Sequence, residues 1–378
     1  MKVLYFLPIL STKGGQERTL IDKANYLVSQ GHEVMFVTFE NTGPIAYPLD
    51  SRVRHTDFNC RHFTIYRKSL FKRFVVAWQM KQQFRQRMAE AIRSFRPEVI
   101  VVAIPLTEFF LADLSKVSGS IPIIIESHLA RGHEALKRGL TEKVLDWVWS
   151  PERVIRKSTL LIALTEGDAA QWRKIHRNVR VIPNPVTDYP KNLQQIVKDE
   201  GRIIAIGRLA PQKRFDRLVD AFAIIANKYP YWHIDIFGSS SAESRENLMR
   251  YISCKGLKER IHIFQPTSEI YSEYLKSEFF VLSSDFEGFG LVIVEAMTCG
   301  IPVVSTDCPY GPSEIIEDGM TGLLANMDAK NLAEKMEWMM THEEERRAMG
   351  MAARQAVARY RKEIVMPLWE QAYKSVIK

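Results

Sequence analysis

The sequence predicts an α/β protein with two domains, each built around a parallel β-sheet. Its 378 residues are enough for two domains of ordinary size. Short apolar runs rich in β-branched residues alternate with helical patterns, as they do in parallel βα units. The alternation stops once, in the polar stretch after Pro185, and then begins again. A composition of 46% hydrophobic and 25% charged residues is typical of a globular protein and excludes disordered and fibrous classes.

Six segments of the first domain, residues 1–187, are predicted as strands: Val3–Leu7, Glu33–Phe39, Val99–Ile104, Ile121–Glu126, Leu160–Leu164 and Val179–Ile182. The first apolar run resembles a signal peptide, but a Gly-Gly turn follows it instead of a cleavage site, which favours a buried strand. The next helix should bury Leu20 and Ala24 and end at Gly31. No stretch is long and apolar enough to span a bilayer.

Six more strands are predicted in the second domain, residues 188–362: Arg202–Ile206, Trp232–Phe237, Arg260–Phe264, Phe279–Ser283, Pro302–Ser305 and Gly322–Ala325. A carboxyl-terminal helix, residues 363–378, should pack back on the first domain. Its apolar side is predicted to comprise Ile364, Leu368, Trp369 and Tyr373. Ligands of parallel sheets bind beyond the carboxyl ends of the strands, so the functional residues are expected in the strand-to-helix turns.

The net charge of +8 lies entirely in the first half of the chain. Residues 1–190 carry 28 Lys and Arg against 18 Asp and Glu, and residues 191–378 carry 24 against 26. This imbalance favours a polyanionic surface as partner, either nucleic acid or an anionic membrane. The four cysteines have neither Cys-x-x-Cys spacing nor a nearby His cluster, so we expect reduced thiols rather than zinc or disulfides.

Two motifs of the second domain combine charges with close backbone turns. In "IGRLAPQKRF", Arg208 and Lys213 follow a strand and are suited to a diphosphate, although a solvated turn would look the same. In "SDFEGFGLVIVEAMTCG", Glu287 and Glu295 lie among glycines and apolar residues. A helix beginning near Gly290 would direct N–H groups at an anion, and Glu295 could accept hydrogen bonds from a ribose diol.

Two weaker signals lie in the first domain. Gly14 and Gly15 form a turn between the first strand and the first helix, without the G-x-G-x-x-G pattern of dinucleotide binding. In "PIIIESHLARG", Glu126, Ser127 and His128 come at the carboxyl end of a strand. A lone histidine is more often structural, but this strand end is expected to face the ligand.

Together these motifs resemble the retaining glycosyltransferases of glycosyltransferase family 4, also called group 1 glycosyltransferases. The resemblance spans nearly the whole chain and is strongest at Glu287, seven residues and Glu295. It implies the GT-B fold, in which two Rossmann-like domains face a central cleft. It also implies a nucleotide-sugar donor, most often a UDP-sugar, a hexosyl or N-acetylhexosaminyl group to transfer, and neither a metal nor a cofactor.

The resemblance also assigns roles to the candidate residues. Arg208 and Lys213 would bind the diphosphate and Glu295 the ribose, and Glu287 would contact the donor sugar. The amides of Phe289, Gly290 and Leu291 would lie beside that sugar. Gly15 would approach the phosphates from the other domain, and His128 would reach the transferred sugar or the acceptor hydroxyl. We expect Glu287, His128, Arg208 and Lys213 to be the catalytic residues.

A basic segment, Arg61–Glu98, carries ten Arg and Lys against two Glu, with aromatic residues among them. It is typical of a helix that lies on an anionic membrane, but a domain helix with a charged solvent face fits equally well. The membrane interpretation places these residues at the surface: Arg67, Lys68, Phe71, Lys72, Arg73 and Trp78. Because relatives often act on lipid-linked, lipopolysaccharide or polysaccharide acceptors, we expect a cytoplasmic enzyme, peripheral on the inner membrane face.

Three other functions compete with this interpretation. The chain could be a catalytically silent partner of an active transferase, although Arg208, Lys213, Glu287 and Glu295 are all present. It could bind nucleic acid through the basic half, but it contains no recognised nucleic-acid motif, and we expect no such partner. A dehydrogenase is the least favoured, because neither domain has the dinucleotide fingerprint.

Overall fold

The computed structural model describes residues 1–60, 70–105, 107–131, 151–186 and 198–377. The chain divides into two compact units. Unit 1 comprises Met1–Pro183 and Met366–Lys378, and unit 2 comprises Asn184–Val365. Each unit has its own parallel sheet and its own apolar core. The prediction of two parallel-sheet α/β domains is therefore confirmed.

Unit 1 contains a seven-stranded sheet in the order β3-β2-β1-β4-β5-β6-β7, and all of its paired strands are parallel. The strands are β1 (Lys2–Phe6), β2 (Glu33–Thr38), β3 (Arg54–Asp57), β4 (Val99–Ile104), β5 (Ile123–Ser127), β6 (Leu160–Ala163) and β7 (Val179–Val181). The six predicted strands are present within two residues at each end. Strand β3 was not predicted, because "RHTD" at the sheet edge lacks a buried apolar run.

The described helices of unit 1 alternate with its strands along the chain. They are α1 (Gly15–Ser29), α2 (Leu70–Phe95), α3 (Glu108–Val117), α4 (Pro151–Lys157) and α5 (Glu166–Arg173). Helix α1 buries Leu20 and Ala24 as predicted. It ends before Gly31, whose φ of 81° is the left-handed conformation that glycine adopts most easily. The two backbone bonds that close this end run from Gly31 and His32 to the last helical turn.

Unit 2 contains a six-stranded parallel sheet in the order β10-β9-β8-β11-β12-β13. Its strands are β8 (Arg202–Ile206), β9 (His233–Phe237), β10 (Ile261–Phe264), β11 (Phe279–Leu282), β12 (Val303–Thr306) and β13 (Gly322–Ala325). All six were predicted to within one residue at each end. In both units the order of strands reverses beside the first one, the point at which such sheets bind ligands.

The helices of unit 2 lie between its strands along the chain and after the last of them. They are α6 (Phe215–Ile225), α7 (Ala242–Cys254), α8 (Ile270–Leu275), α9 (Leu291–Thr298), α10 (Pro312–Ile315), α11 (Ala329–Thr341) and α12 (Glu343–Ala356). Helix α11 packs on α6, and α9 and α12 contact each other. All four cysteines are free thiols, as predicted, and three of them are buried.

The last helix, α13 (Lys362–Lys374), begins in unit 2 and ends in unit 1. Its buried residues include Met366, Trp369 and Tyr373, whereas Ile364 and Leu368 are about half exposed. The predicted apolar side is therefore wrong in these two positions. Trp369 and Tyr373 are four residues apart and therefore lie on the same, buried side of the helix. Ile364 and Leu368 are also four residues apart, but Leu368 comes one position before Trp369, so this pair lies beside the buried side.

Candidate functional site

The loop after β8 carries the two predicted diphosphate ligands, Arg208 and Lys213. It runs through a 3-10 turn, Pro211–Lys213, and enters α6 through Arg214, which has a φ of 48°. Lys213 Nζ lies 2.7 Å from Glu287 Oε1, and both side chains are nearly buried. Arg208 is exposed and forms no ion pair within the described part of the chain. One cation is thus fixed in an ion pair, and the other is available to a ligand.

The two sequence motifs of unit 2 form one structure, because the loop after β11 is hydrogen-bonded to the 3-10 turn. The Asp285 N–H donates to the Gln212 carbonyl at 2.9 Å. Ser283 Oγ donates to the Lys213 carbonyl at 2.8 Å, and Gln212 Nε2 donates to the Phe286 carbonyl at 2.7 Å. These bonds hold the backbone of Lys213 beside the loop that carries Glu287.

Two arginines that the sequence analysis did not single out hold Asp285 in this loop. Arg217 Nη2 lies 2.6 Å and Arg214 Nη1 3.2 Å from Asp285 Oδ1. Arg217 is 7% exposed and also donates to the Ser283 carbonyl at 2.8 Å. The sequence did contain a signal, since Arg217 falls among the apolar residues of α6, where an unpaired cation would be costly.

Glu287 is fixed through both its side chain and its backbone. Its Oε1 accepts from Lys213 and from Ser284 Oγ, the latter at 2.6 Å. Its N–H donates to the Pro309 carbonyl at 2.7 Å, and its carbonyl accepts from the Tyr310 N–H at 3.1 Å. No hydrogen bond to Oε2 occurs among the described residues. The carboxylate therefore has a fixed position and one oxygen that can still accept hydrogen bonds.

Gly290 turns the same loop into α9. Its φ of 90° is left-handed, so a side chain here would strain the backbone. The N–H groups of Leu291 and Val292 have no intrahelical acceptor and can bind an anion, whereas the Ile293 N–H donates to the Gly290 carbonyl at 2.8 Å. Phe289 is buried and packs edge-to-face on Tyr360 at 5.3 Å. At Gly311 an added Cβ would lie 1.8 Å from the Phe289 carbonyl, so only glycine allows this approach.

Glu295 lies in the second turn of α9 and is 7% exposed. The Tyr274 hydroxyl lies 3.5 Å from Glu295 Oε2 and makes a shorter bond, 3.0 Å, to the Val292 carbonyl. Glu295 is thus nearly buried on the helix whose first turn follows Gly290. Its predicted contact with a ribose remains a prediction.

Gly15 is the first residue of α1 and Gly14 immediately precedes the helix, whereas the sequence placed both glycines in a turn before it. The carboxylate of Glu17 folds back over this turn, since a Cβ added to Gly14 would lie 2.2 Å from Glu17 Oε2. Thr12 Oγ1 donates to the other oxygen, Glu17 Oε1, at 2.9 Å. A phosphate at Gly15 would therefore meet a carboxylate and displace it, a competition that the sequence alone did not suggest.

His128 belongs to a buried polar cluster at the carboxyl end of β5. Its Nε2 is 3.0 Å from Glu126 Oε2, and Lys23 Nζ is 2.5 Å from the same oxygen. Tyr373 donates a short hydrogen bond to Glu126 Oε1. Lys23 and Tyr373 were not predicted. Lys23 comes three residues after Leu20, on the apolar face of α1. A cation at such a position indicates a buried partner of opposite charge.

The charges of this cluster are set by burial and by mutual pairing. Burial raises the pKa of Glu126, but Lys23 and His128 outweigh that effect and lower the pKa to about 2. Burial lowers the pKa of Lys23, and Glu126 opposes the change. Burial likewise lowers the pKa of His128 against its hydrogen bond to Glu126. Glu126 is therefore ionised and His128 is neutral near pH 7.

The predicted membrane residues are only partly described. Arg67 and Lys68 lie outside the described residues, and for Phe71, Lys72 and Arg73 the structure describes the α2 backbone alone. Trp78 is 63% exposed on α2. Within the described ranges, no helix is long and apolar enough to cross a bilayer. In the same part of the chain, no three His, Cys, Asp or Glu side chains are grouped to hold a metal ion.

The two Rossmann-like units have the GT-B fold of the solved structures of TarM and of a sucrose-phosphate synthase. The model for Glycosyltransferase Family 4 matches residues 13–188, and the model for group 1 glycosyl transferases matches residues 190–356. Each of the two matches lies almost wholly within one unit. The chain belongs to this family of glycosyltransferases, so the predicted family, fold and enzyme class are confirmed.

Some of the relatives and solved structures match over most of the chain. An uncharacterized glycosyltransferase of Haemophilus influenzae is 25% identical over 86% of both chains. The amylovoran biosynthesis glycosyltransferase AmsD of Erwinia amylovora is 24% identical over 97% of this chain and 98% of its own length. A TarM variant of S. aureus, solved with fondaparinux, α-GlcNAc-glycerol and UDP, superposes with a TM-score of 0.77. It is 16% identical and covers 98% of this chain and 99% of its own.

Proposed function

We propose that the enzyme transfers a sugar from a UDP-sugar to a glycan or lipid-linked acceptor with retention of anomeric configuration. The observation that carries the proposal is the Lys213–Glu287 pair, locked in place beside the first turn of α9. This loop structure combines a cation, a carboxylate oxygen without a partner, and the amide donors at the start of α9. The UDP bound to the similar TarM and the role of AmsD in amylovoran biosynthesis support the same class of donor and acceptor.

In this proposal unit 2 binds the nucleotide part of the donor. Arg208 and Lys213 bind the diphosphate, since Lys213 can keep its bond to Glu287 and still offer two further N–H donors. The N–H groups of Phe289, Gly290 and Leu291 add the positive end of α9. The Glu295 carboxylate accepts hydrogen bonds from the ribose, and Oε2 of Glu287 accepts from the donor sugar. Gly15 approaches the phosphates if Glu17 moves aside.

The transfer exchanges one C–O bond for another at the anomeric carbon. The bond to the β-phosphate oxygen breaks, and its electron pair stays on the leaving UDP. The acceptor oxygen attacks from the same face, and its proton passes to the departing phosphate. Arg208, Lys213 and the amide donors stabilise the charge that develops on the diphosphate, which supports a reaction without a metal ion. Glu287 and His128 orient the sugar.

Nucleotide binding tests the donor site directly. UDP at 100 times its dissociation constant should stabilise the protein by about 2.7 kcal/mol and raise the unfolding midpoint by roughly 5–10 °C. Arg208→Ala and Glu295→Ala should each abolish most of that shift, because they remove a diphosphate cation and a ribose acceptor. The measurement is thermal unfolding with UDP, GDP and ADP.

The matched control is Arg250→Ala, which removes an exposed arginine of the same unit from helix α7. This variant should keep the full shift with UDP. The proposed donor is contradicted if GDP or ADP shifts the wild type and UDP does not. A UDP shift that Arg208→Ala and Glu295→Ala both retain would contradict the proposed site.

We also propose that unit 1 contacts an anionic membrane surface through α2. Lys81 and Arg85, both on this helix, are paired with Asp113. The observation that supports the proposal is the exposure of two apolar side chains of this basic helix, Val75 and Trp78. Exposed aromatic residues on a cationic helix are typical of proteins that bind at the lipid headgroup level.

The protein should sediment with anionic vesicles and not with neutral ones, and salt should release it. Trp78→Ser should weaken the partition by about tenfold, because the indole no longer inserts at the headgroups. Tyr231→Ser is the matched control, since Tyr231 is 85% exposed and lies in unit 2. Equal binding to neutral and anionic vesicles, or equal losses in the two variants, would contradict this surface.

A further inference from the structure

The Glu126 carboxylate is the centre of a buried network that joins three elements of unit 1. Lys23 on α1 and His128 after β5 both bond to Oε2, and Tyr373 on α13 bonds to Oε1. The side chains of Lys23, Glu126 and His128 are at most 2% exposed, and Tyr373 is fully buried. Tyr5 on β1 extends the network by donating to the Tyr373 hydroxyl at 3.0 Å. No water is needed to satisfy the two carboxylate oxygens.

This network determines which ring nitrogen of His128 carries the proton. A carboxylate only accepts hydrogen bonds, so the Nε2 that faces Glu126 Oε2 at 3.0 Å must be the donor. In the neutral ring Nδ1 is then an unprotonated acceptor. Nδ1 is buried and has no hydrogen-bond partner among the described residues. A buried acceptor without a partner is costly, and a hydroxyl group of a ligand would satisfy it.

We propose that Glu126, held by Lys23 and Tyr373, is a positioning residue that fixes His128 in the Nε2–H tautomer, so that Nδ1 accepts a hydrogen bond from a hydroxyl of the transferred sugar. The identity of that hydroxyl rests on the proposed function, whereas the tautomer rests on the network alone. Helix α13 takes part in this support, because Tyr373 donates to Glu126 and the Trp369 ring lies 3.6 Å from Lys23 Nζ.

The tautomer is measured by ¹⁵N NMR of protein labelled at its histidines, with His128→Gln to assign the signal. The wild type should show the Nε2–H form near pH 7. The paired variant Lys23→Met/Glu126→Gln removes both buried charges together, and its amide can donate or accept. It should therefore populate both tautomers. A wild-type Nδ1–H form, or an unchanged tautomer in the paired variant, would overturn the positioning role.

The sugar contact is measured separately by calorimetric titration with UDP, UDP-glucose and UDP-N-acetylglucosamine. His128→Gln and Tyr373→Phe should each weaken the binding of the accepted UDP-sugar by up to about tenfold and leave UDP binding unchanged. Tyr26→Phe is the matched control. The Tyr26 hydroxyl donates to Glu370 on α13, the helix that carries Tyr373, and it does not bond to Glu126. This variant should change neither affinity.

The two proposals fail in different ways. If the wild type binds neither UDP nor a UDP-sugar, the proposed donor is wrong and with it the sugar contact, but the NMR measurement still decides the tautomer. If His128→Gln binds the UDP-sugar as tightly as the wild type does, the sugar contact is overturned and the donor stands. Equal losses in Tyr373→Phe and Tyr26→Phe would assign Tyr373 to the anchoring of the helix only.

Discussion

Replacing Lys213 with methionine will lower the rate of sugar transfer by about 10²- to 10³-fold, the scale of losing one preorganised donor to a developing charge. The leaving diphosphate gains negative charge as the anomeric C–O bond breaks. In the proposed mechanism Lys213 stabilises that charge, and its ion pair with Glu287 and the Ser283 bond to its carbonyl hold it in place. Methionine keeps the length of the side chain and removes the cation. The measurement is kcat from the release of UDP.

The loss of rate must be distinguished from a structural effect, because Lys213→Met leaves the Glu287 carboxylate without its cation. The double variant Lys213→Met/Glu287→Gln restores neutrality, so it should recover stability and stay as slow as Lys213→Met. Lys258→Met, which removes an exposed lysine of unit 2, should transfer at the wild-type rate. EDTA should leave the wild-type rate unchanged. A loss smaller than about tenfold in Lys213→Met would contradict the assigned role.

Replacing Lys23 with methionine should destabilise unit 1 by about 3–5 kcal/mol, because the Glu126 carboxylate then stays buried without its cation. Glu126 is completely buried and lies 2.5 Å from Lys23 Nζ. The paired variant Lys23→Met/Glu126→Gln should recover most of that loss, since it leaves no unpaired buried charge. Urea unfolding of the wild type, both single variants and the paired variant measures the coupling.

The same pair gives a dependence on pH with a definite sign. The pKa of Glu126 is lowered from 4.5 in the ordinary carboxyl to about 2 in the folded protein. A lowered carboxyl pKa stabilises the fold above pH 4.5, and this contribution is lost as the pH falls toward 2. It amounts to roughly 3 kcal/mol, and the paired variant should lack it. Lys116→Met, at an exposed lysine of unit 1, should retain the wild-type acid profile.

The strands could be predicted because each one leaves a local pattern. A buried parallel strand needs a short apolar run, and all twelve predicted strands are present. Strand β3 was not predicted because an edge strand can be polar, and "RHTD" has no fully buried residue. The buried face of α13 was predicted wrongly for another reason. Ile364, Leu368 and Trp369 all fit helical spacing, and only tertiary packing decides which stripe is buried.

The charged residues of the candidate site could be predicted from the sequence, but the residues that hold them in place could not. Arg208, Lys213, Glu287 and Glu295 stand in recognisable motifs, and the resemblance gave them roles. The link from Tyr373 to Glu126 joins residues 247 apart in the chain, and no local pattern reports such a distance. Arg217 and Lys23 did leave a signal, because each is a cation on the apolar face of a helix. That signal indicates that each cation has a buried partner, but it does not identify which residue the partner is.

Because α13 supplies Trp369 and Tyr373 to unit 1, the order of synthesis matters for folding. The ribosome makes residues 1–183 first, then the whole of unit 2, and only afterwards the segment that completes the first unit. Until then Glu126 lacks its Tyr373 donor, and the face of α1 that meets Trp369 is open to water. The amino-terminal unit is therefore the last to reach its final packing, and a nascent chain stalled in unit 2 should be unusually sensitive to proteases.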